Sequence, residues 1–481
     1  MSAEEATAKD YGLLLGGHWR KTGEPAIVRN PYDETHVAVV RRADRELMDS
    51  AISAAHKAFE KTRALTTYER EAVLERIAAG LRSRADEVAR TIMAEAGKPI
   101  TLARGEVERG INTFEIAARE VHRIEGETLP LDVAAGGKGR FGMTRRFPLG
   151  AVGAITPFNF PLNLVAHKVA AAIAVGNSMV LRPASQTPVT SLLLGEIAME
   201  AGLPDGALNV VPSPVEQAEQ LVMDDRIRMI SFTGSPAVGW PLKIKAGKKK
   251  VALELGGNAA AIVAADADLE FAIARLAVGA FAYAGQVCIS VQRLIIHRSI
   301  YEEFIEGFVR HVDREIGVGD PADENVICGP LVTSADADRV EQWIEEAIRG
   351  GARRLLGGRR EGNVVWPTIL DNVKPVMKVN ALEVFGPVVT CAAYDTFDEA
   401  LEMVNDSRYG LQAGVFTRDV HKIFQAFDRL DVGGVIANDY PTFRVDNMPY
   451  GGVKDSGFGR EGVKYTIQEM TEPKLLVLNL E

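Results

Sequence analysis

The chain has 481 residues, a net charge of −10, and 47% hydrophobic against 25% charged residues. That is the composition of a folded globular chain, long enough for roughly three domain-sized units. The acidic balance supplies no basic stripe to neutralise a phosphate backbone, so nucleic acid is not expected as a partner.

No apolar run reaches the roughly 18 residues of a membrane helix. The most apolar stretch, 165–175, is short and holds His167 and Lys168. The N-terminal MSAEEATAKD lacks the basic, apolar, small-residue order of a signal peptide, which points to the cytoplasm. Three cysteines cannot form a disulfide framework and suit a reducing compartment. Cys328 and Cys391 sit in apolar surroundings and read as inert buried thiols.

In chain order, Asp44 can cap a helix running to about Lys61, and Thr67 opens a long amphipathic stretch through Arg90. The first 130 residues are therefore expected to be mainly helical. From Ala151 short β-rich runs alternate with helical patterns. Strands are expected at Ala151–Thr156, Ser178–Arg182, Leu208–Val211, Met229–Thr233 and Val251–Leu255. Helices are expected around Leu162–Val175, Pro188–Ala201, Val215–Met223 and Ala237–Ala246. Strands spaced by helices imply an α/β fold, a parallel sheet covered on both faces. A second αβ series from Asp268 to about Asn438 reads as a separate lobe. The segments 136–149 and Lys474–Leu480 fit neither lobe and read as exposed strands needing an edge partner, a sign of oligomerisation.

G-x-G-x-x-G occurs at Gly137-Gly139-Gly142 and at Gly457-Gly459-Gly462. Neither follows a clear strand and opens a helix, as a dinucleotide fingerprint requires, so both read as turns. Phe232-Thr233-Gly234-Ser235-Pro236-Ala237-Val238-Gly239 does stand between a strand pattern and a helix pattern. There glycines admit a pyrophosphate to the backbone and the helix N-terminus favours its charge.

Cys288 ends the small-residue approach Tyr283-Ala284-Gly285-Gln286-Val287. Glu254 closes the apolar run VALEL just before Gly256 and Gly257, where partial desolvation would raise its pKa and suit it to act as a base. Asn159, in Thr156-Pro157-Phe158-Asn159-Phe160-Pro161, has an amide able to donate to a developing oxyanion. Taken singly, a core thiol, a helix-capping acid and an Asx turn are open alternatives.

Together these segments resemble the aldehyde dehydrogenase superfamily over essentially the whole chain. ITPFNFPLN, SFTGS, LELGGN, GQVC, EVFGP and MPYGGVKDSGFGRE occur in family order and at family spacing. The resemblance implies the aldehyde dehydrogenase fold. A Rossmann-like cofactor domain would comprise 1–130 and 150–255, an α/β catalytic domain 256–465, and a small β oligomerisation element 131–149 with 466–481. It implies a homodimer or homotetramer.

By the same resemblance Cys288 is the nucleophile and Glu254 the base, and Asn159 with the Cys288 N–H forms the oxyanion hole. Lys168 and Glu461 complete the catalytic set. Thr156, Pro157, Phe158, Arg182, Ser185, Gly234, Ser235, Leu255, Glu383 and Phe385 would hold the cofactor. NAD-preferring relatives usually have lysine at the place of Arg182 and glutamate at that of Ser185. Ser185 lifts the repulsion of a 2′-phosphate and Arg182 can pair with it, so NADP is favoured over NAD. Arg109, Arg444 and Phe160 are the expected substrate contacts, as in lactaldehyde and phosphorylated or phosphono-aldehyde dehydrogenases. Relatives that take a doubly charged phosphate commonly have a third arginine where this chain has Val287. A small polar or anionic aldehyde is expected, of the lactaldehyde, glyceraldehyde-3-phosphate or phosphonoacetaldehyde type. The alternatives are a succinate- or malonate-type semialdehyde and a CoA-acylating reaction, which typically goes with loss of the glutamate present here as Glu254. No metal is expected.

Overall fold

A computed structural model describes residues 9–480. Most of the N-terminal segment read above for a leader lies outside the described residues. The main sheet runs, in spatial order, Gly457–Phe458, Lys250–Glu254, Ile227–Thr233, Ala151–Ile155, Ser178–Arg182, Leu208–Val210, Leu13–Leu15 and His18–Arg20. The five strands from Lys250–Glu254 to Leu208–Val210 are parallel, with Gly153 between Ile230 and Val180. Every residue of Ala151–Ile155 and Ser178–Arg182 is buried, as expected of parallel strands covered on both faces. The expected strand and helix boundaries in 151–255 agree with the structure to within about two residues.

The first 130 residues depart from the reading as mainly helical. Leu13–Leu15 and His18–Arg20 make a hairpin on the edge of the main sheet, turning at Gly16 and Gly17. Lys9–Tyr11, Glu24–Arg29 and His36–Arg42 form a separate three-stranded sheet. Helices follow: α1 (Arg45–Thr62), α2 (Thr67–Ser83), α3 (Ala85–Ala96) and α4 (Ile100–Glu120). Asp44 caps α1 by accepting from Leu47 N–H, and Thr66 with Glu69 forms a capping box on α2. The stretch expected to continue to Arg90 breaks at Arg84, whose φ of −111° and ψ of 20° leave the helical region.

α5 (Asn163–Val175) lies between Ala151–Ile155 and Ser178–Arg182 in the chain, and all its residues are buried. A helix buried all round belongs to the core, so the polar side chains it carries require partners inside the protein. Those side chains are Asn163, His167 and Lys168, and their partners belong to the site described below.

The second lobe is a seven-stranded sheet: Arg353–Leu356, Thr368–Asp371, Val388–Tyr394, Arg293–His297, Ala260–Val263, Gln412–Phe416 and Gly434–Ala437. It is parallel except at Arg353–Leu356. After Ala437 the chain returns to the first lobe, where Gly457–Phe458 pairs antiparallel with Leu253 and Glu254. The second G-x-G-x-x-G string thus begins in a strand rather than a turn. The first string ends in one too, because Gly142 lies within Arg140–Pro148. That strand and Thr471–Asn479 pair with each other, and Thr128–Pro130 completes a small antiparallel sheet. Among the described residues no helix is long and apolar enough to cross a membrane.

Candidate active site

The nucleophile candidate sits where the helix Leu269–Phe281 gives way to three consecutive left-handed residues: Tyr283 and Ala284, each at φ 52°, and Gly285 at φ 68°. Tyr283 and Ala284 adopt a conformation that costs residues with a Cβ free energy, so the surroundings must impose it. Gly285 is required for space as well, because a Cβ there would stand 2.3 Å from the Gly386 carbonyl oxygen. The fully buried Gln286 pins the turn. Its amide donates to the Pro330 carbonyl at 3.1 Å, and its oxygen accepts from Val332 N–H at 2.9 Å. Two residues on, Cys288 is partly exposed in a cavity of about 340 Å³ that Arg109, Phe160, Tyr450 and Arg444 also line. Cys328 and Cys391 are buried, as expected of core thiols.

Asn159 comes from the loop after Ala151–Ile155. Its Nδ2 donates to the Gln286 carbonyl at 3.0 Å, which sets the amide beside the Cys288 loop. Glu254 is the last residue of its strand and 5% exposed, and its Oε2 is buried without a hydrogen bond. Burial raises its pKa well above the usual carboxylate range, and the charge on Glu461 raises it further. Burial also raises Glu461, but Lys168, His167 and Arg444 outweigh it and hold that carboxyl ionised. Two neighbouring carboxyls are thus driven apart, one holding a proton more strongly than a free carboxyl and one fixed as an anion.

Glu461 is gripped from two sides. Lys168 Nζ donates to Oε2 at 3.2 Å and Arg444 Nη2 donates to Oε1 at 2.7 Å. The Arg444 guanidinium lies 3.8 Å from the centre of the Tyr450 ring, and its Nε is buried without a partner. The Tyr450 hydroxyl stands 2.7 Å from Cys288 Sγ. Burial pushes the Cys288 thiol up to about 12, and the Tyr450 hydrogen bond and Arg444 charge pull against it. The sequence reading missed Tyr450, although MPYGG was among the matched segments. A tyrosine 162 residues from the cysteine carries no local sign that their side chains meet.

Arg109, on α4, is not free. It makes a bidentate contact with Asp446, Nη2–Oδ1 at 2.8 Å and Nε–Oδ2 at 3.3 Å. Asp446 also accepts from Asn163 Nδ2 at 3.0 Å and lies 2.9 Å from His167 Nε2. Burial would raise Asp446, but His167 and Arg109 overcome it and hold its carboxyl far below the usual range. Nearby, Glu106 accepts from Leu162 and Asn163 N–H at 2.9 and 3.1 Å and binds the buried Lys98, whose ammonium lies 3.7 Å from the centre of the Phe160 ring. This cluster anchors the Asn159 loop and the start of α5 to α4.

At the C-terminal ends of the main-sheet strands, where dinucleotides bind in such folds, several buried polar atoms have no partner. They are Arg182 Nε, Ser213 Oγ and Thr233 Oγ1. Arg182 also donates to the Ser213 carbonyl at 2.9 Å, and Ser185 is exposed. Gly234 and Ser235 link the strand Ile227–Thr233 to the helix Pro236–Lys245, the context its sequence suggested. A Cβ at Gly234 would stand 2.6 Å from the Phe232 ring. Leu255 packs beneath that helix, 2.5 Å from where a Cβ on Gly239 would fall. Glu383, raised to about 7 by burial, accepts from Gly257 N–H at 3.0 Å. The Phe385 ring meets the Phe158 ring edge-on at 5.8 Å. Thr156 and Pro157 begin the same loop as Phe158. Unsatisfied polar atoms at strand ends, beside a glycine turn into a helix, fit a nicotinamide dinucleotide.

The comparison with known families agrees with this geometry: the model of the aldehyde dehydrogenase family matches residues 19–476. The chain belongs to that family. As an aldehyde dehydrogenase it uses NAD(P) to oxidise an aldehyde. It is 46% identical to a 3-sulfolactaldehyde dehydrogenase of Priestia megaterium, over 98% of each chain. The structure of aldehyde dehydrogenase 21 from Physcomitrella patens, in complex with the reaction product succinate, superposes with a TM-score of 0.97. It is 45% identical and covers 98% of this chain and 99% of its own. Glyceraldehyde-3-phosphate dehydrogenase GapN from Methanocaldococcus jannaschii, complexed with NADP, gives a TM-score of 0.91 at 40% identity, covering 95% of this chain and all of its own.

Proposed function

We propose that this aldehyde dehydrogenase oxidises a small anionic aldehyde to the acid, with NADP favoured over NAD. The observation that carries the reading is Arg444, a buried guanidinium on the wall of the Cys288 cavity with one unpartnered donor. Arg109 lines the same cavity with its side chain 30% exposed. Both arginines already hold a carboxylate of the protein, and Val287 adds no charge. The remaining donors suit one carboxylate, sulfonate or monoanionic group better than a doubly charged phosphate. The relatives named for sulfolactaldehyde and crystallised with succinate support such a substrate.

In this reading Cys288 Sγ attacks the aldehyde carbon, and the new oxyanion meets Asn159 Nδ2–H and the Cys288 N–H. Arg182, Ser185, Gly234, Ser235, Glu383 and Phe385 would hold the dinucleotide, which when bound would supply the hydride acceptor. Loss of the aldehyde carbon's hydrogen as hydride leaves a thioester on Cys288, and water, giving a proton to Glu254, attacks its carbonyl carbon and releases the acid and the Cys288 sulfur. The presence of Glu254 favours hydrolysis over transfer to CoA.

Arg444→Gln and Arg109→Gln test the substrate class. Losing a charge-assisted hydrogen bond costs about 1.5 to 3 kcal/mol, so KM for succinic semialdehyde and sulfolactaldehyde should rise roughly 10- to 150-fold while that for propanal stays level. Equal changes for charged and neutral aldehydes would reject the anion pocket. We also place the enzyme in the cytoplasm, which three unpaired cysteines suit. We further read it as a homodimer or homotetramer joined through the edge strand Thr471–Asn479, where Leu475, Leu476, Val477 and Leu478 are exposed. Light scattering of the purified enzyme distinguishes these states from a monomer.

A further inference from the structure

A second cavity of about 530 Å³ opens between the end of α1, the start of α2 and the paired strands Arg140–Pro148 and Thr471–Asn479. It shares no lining residue with the cavity around Cys288. Arg63, Arg70, Arg145, Arg146 and Lys474 line it, and no aspartate or glutamate does. Arg63 has Glu60 at 3.3 Å, and Arg146 donates to Thr471 Oγ1 at 3.0 Å. The other three cations have no carboxylate partner among the described residues. Arg70 makes one long hydrogen bond, Nη2 to Thr67 Oγ1 at 3.4 Å, and its Nε is buried and unsatisfied. Arg145 and Lys474 stand opposite each other across the strand pair, both over the Phe147 ring.

Surface cations usually spread apart or pair with acids. Here they converge on a hollow, and burial together with Arg145 makes the charged form of Arg70 harder to hold. An unneutralised cluster with a buried, unsatisfied donor is stabilised by an anion that takes up those donors. Phe59, Val121, Ile124 and Val175 supply an apolar wall, and the volume lies in the range of small-molecule pockets. We propose that this cavity binds a small organic anion with a phosphate-type group, gripped by Arg70, Arg145 and Lys474. Its apolar body lies against the wall. The site is separate from the catalytic centre, although α5 runs from Lys168 at one to Val175 at the other.

Calorimetric titration of NADP-loaded enzyme with inorganic phosphate, then with phenyl phosphate, tests the site. Loading with NADP blocks the dinucleotide's own phosphate contacts. The expected result is one anion bound per chain, weakened at least about tenfold in Arg70→Gln/Arg145→Gln and unchanged in the remote surface variant Arg310→Gln. Tighter binding of phenyl phosphate than of inorganic phosphate supports the apolar wall as part of the site, and equal or weaker binding overturns that part of the proposal. Should the double variant fold poorly, Arg70→Gln alone must itself weaken binding. No binding, or binding that survives Arg70→Gln/Arg145→Gln, overturns the proposal. So does a double variant that alters subunit number in light scattering while wild type takes up no anion, because a neighbouring copy would then fill the cavity.

Discussion

Tyr450→Phe removes one hydroxyl and leaves the ring under Arg444 in place. In the structure that hydroxyl is 2.7 Å from Cys288 Sγ, in surroundings whose burial pushes the thiol up to about 12. The phenol can donate to the thiolate that must form before attack, and a hydrogen bond to a charged group is worth about 1.5 to 3 kcal/mol. At 1.36 kcal/mol per pKa unit, its loss should raise the thiol pKa by about one to two units. Below that pKa the thiolate fraction falls by the same factor, so alkylation by iodoacetamide near neutral pH should slow roughly 10- to 100-fold. The assay is the alkylation rate of cofactor-free enzyme across pH, with thermal unfolding confirming that the variant is folded. Because the effect acts through sulfur ionisation, the rate should be lower by the same factor at every pH where the enzyme stays folded, which moves the rising profile to higher pH. An unmoved or acid-shifted profile would refute Tyr450 as a donor to the nucleophile.

Glu461→Gln removes the negative charge that helps hold the Glu254 pKa up, so that pKa should fall. Since Glu254 must be ionised to take a proton from water, the acid limb of thioester hydrolysis should shift to lower pH; a shift upward would contradict the coupling. Gly285→Ala places a Cβ 2.3 Å from the Gly386 carbonyl oxygen at φ 68°, and should lower unfolding free energy by about 1 to 3 kcal/mol, read by urea denaturation. Ser185→Glu should move the kcat/KM ratio toward NAD by about tenfold or more, and an unchanged ratio would separate this position from the 2′-phosphate.

Much of the cofactor lobe was legible because short apolar strand runs alternate with helix-length segments from Ala151 to Glu254. Cys288, Glu254 and Asn159 stood out as candidates for another reason: each lies in a short string of distinctive residues. The hairpin strands Leu13–Leu15 and His18–Arg20 were missed because three-residue runs show no alternation. They become strands only by adding to the edge of a sheet formed much later in the chain. Arg109 and Arg444 were legible as pocket residues but not as half-neutralised ones. Asp446 and Glu461 reach them through the fold, and an ion pair spanning 337 residues, as for Arg109 and Asp446, has no signature in sequence.

The central claim is a thioester on Cys288 that Glu254 helps water to cleave, and Glu254→Gln tests it most directly. Mixed rapidly with NADP and succinic semialdehyde, the variant should form about one NADPH per subunit in a burst and then nearly stop. Intact-mass measurement after acid quenching should show the acyl group on the chain, mapped by peptide digestion to Cys288. Steady turnover at the wild-type rate, or a burst with no adduct on Cys288, would contradict the account.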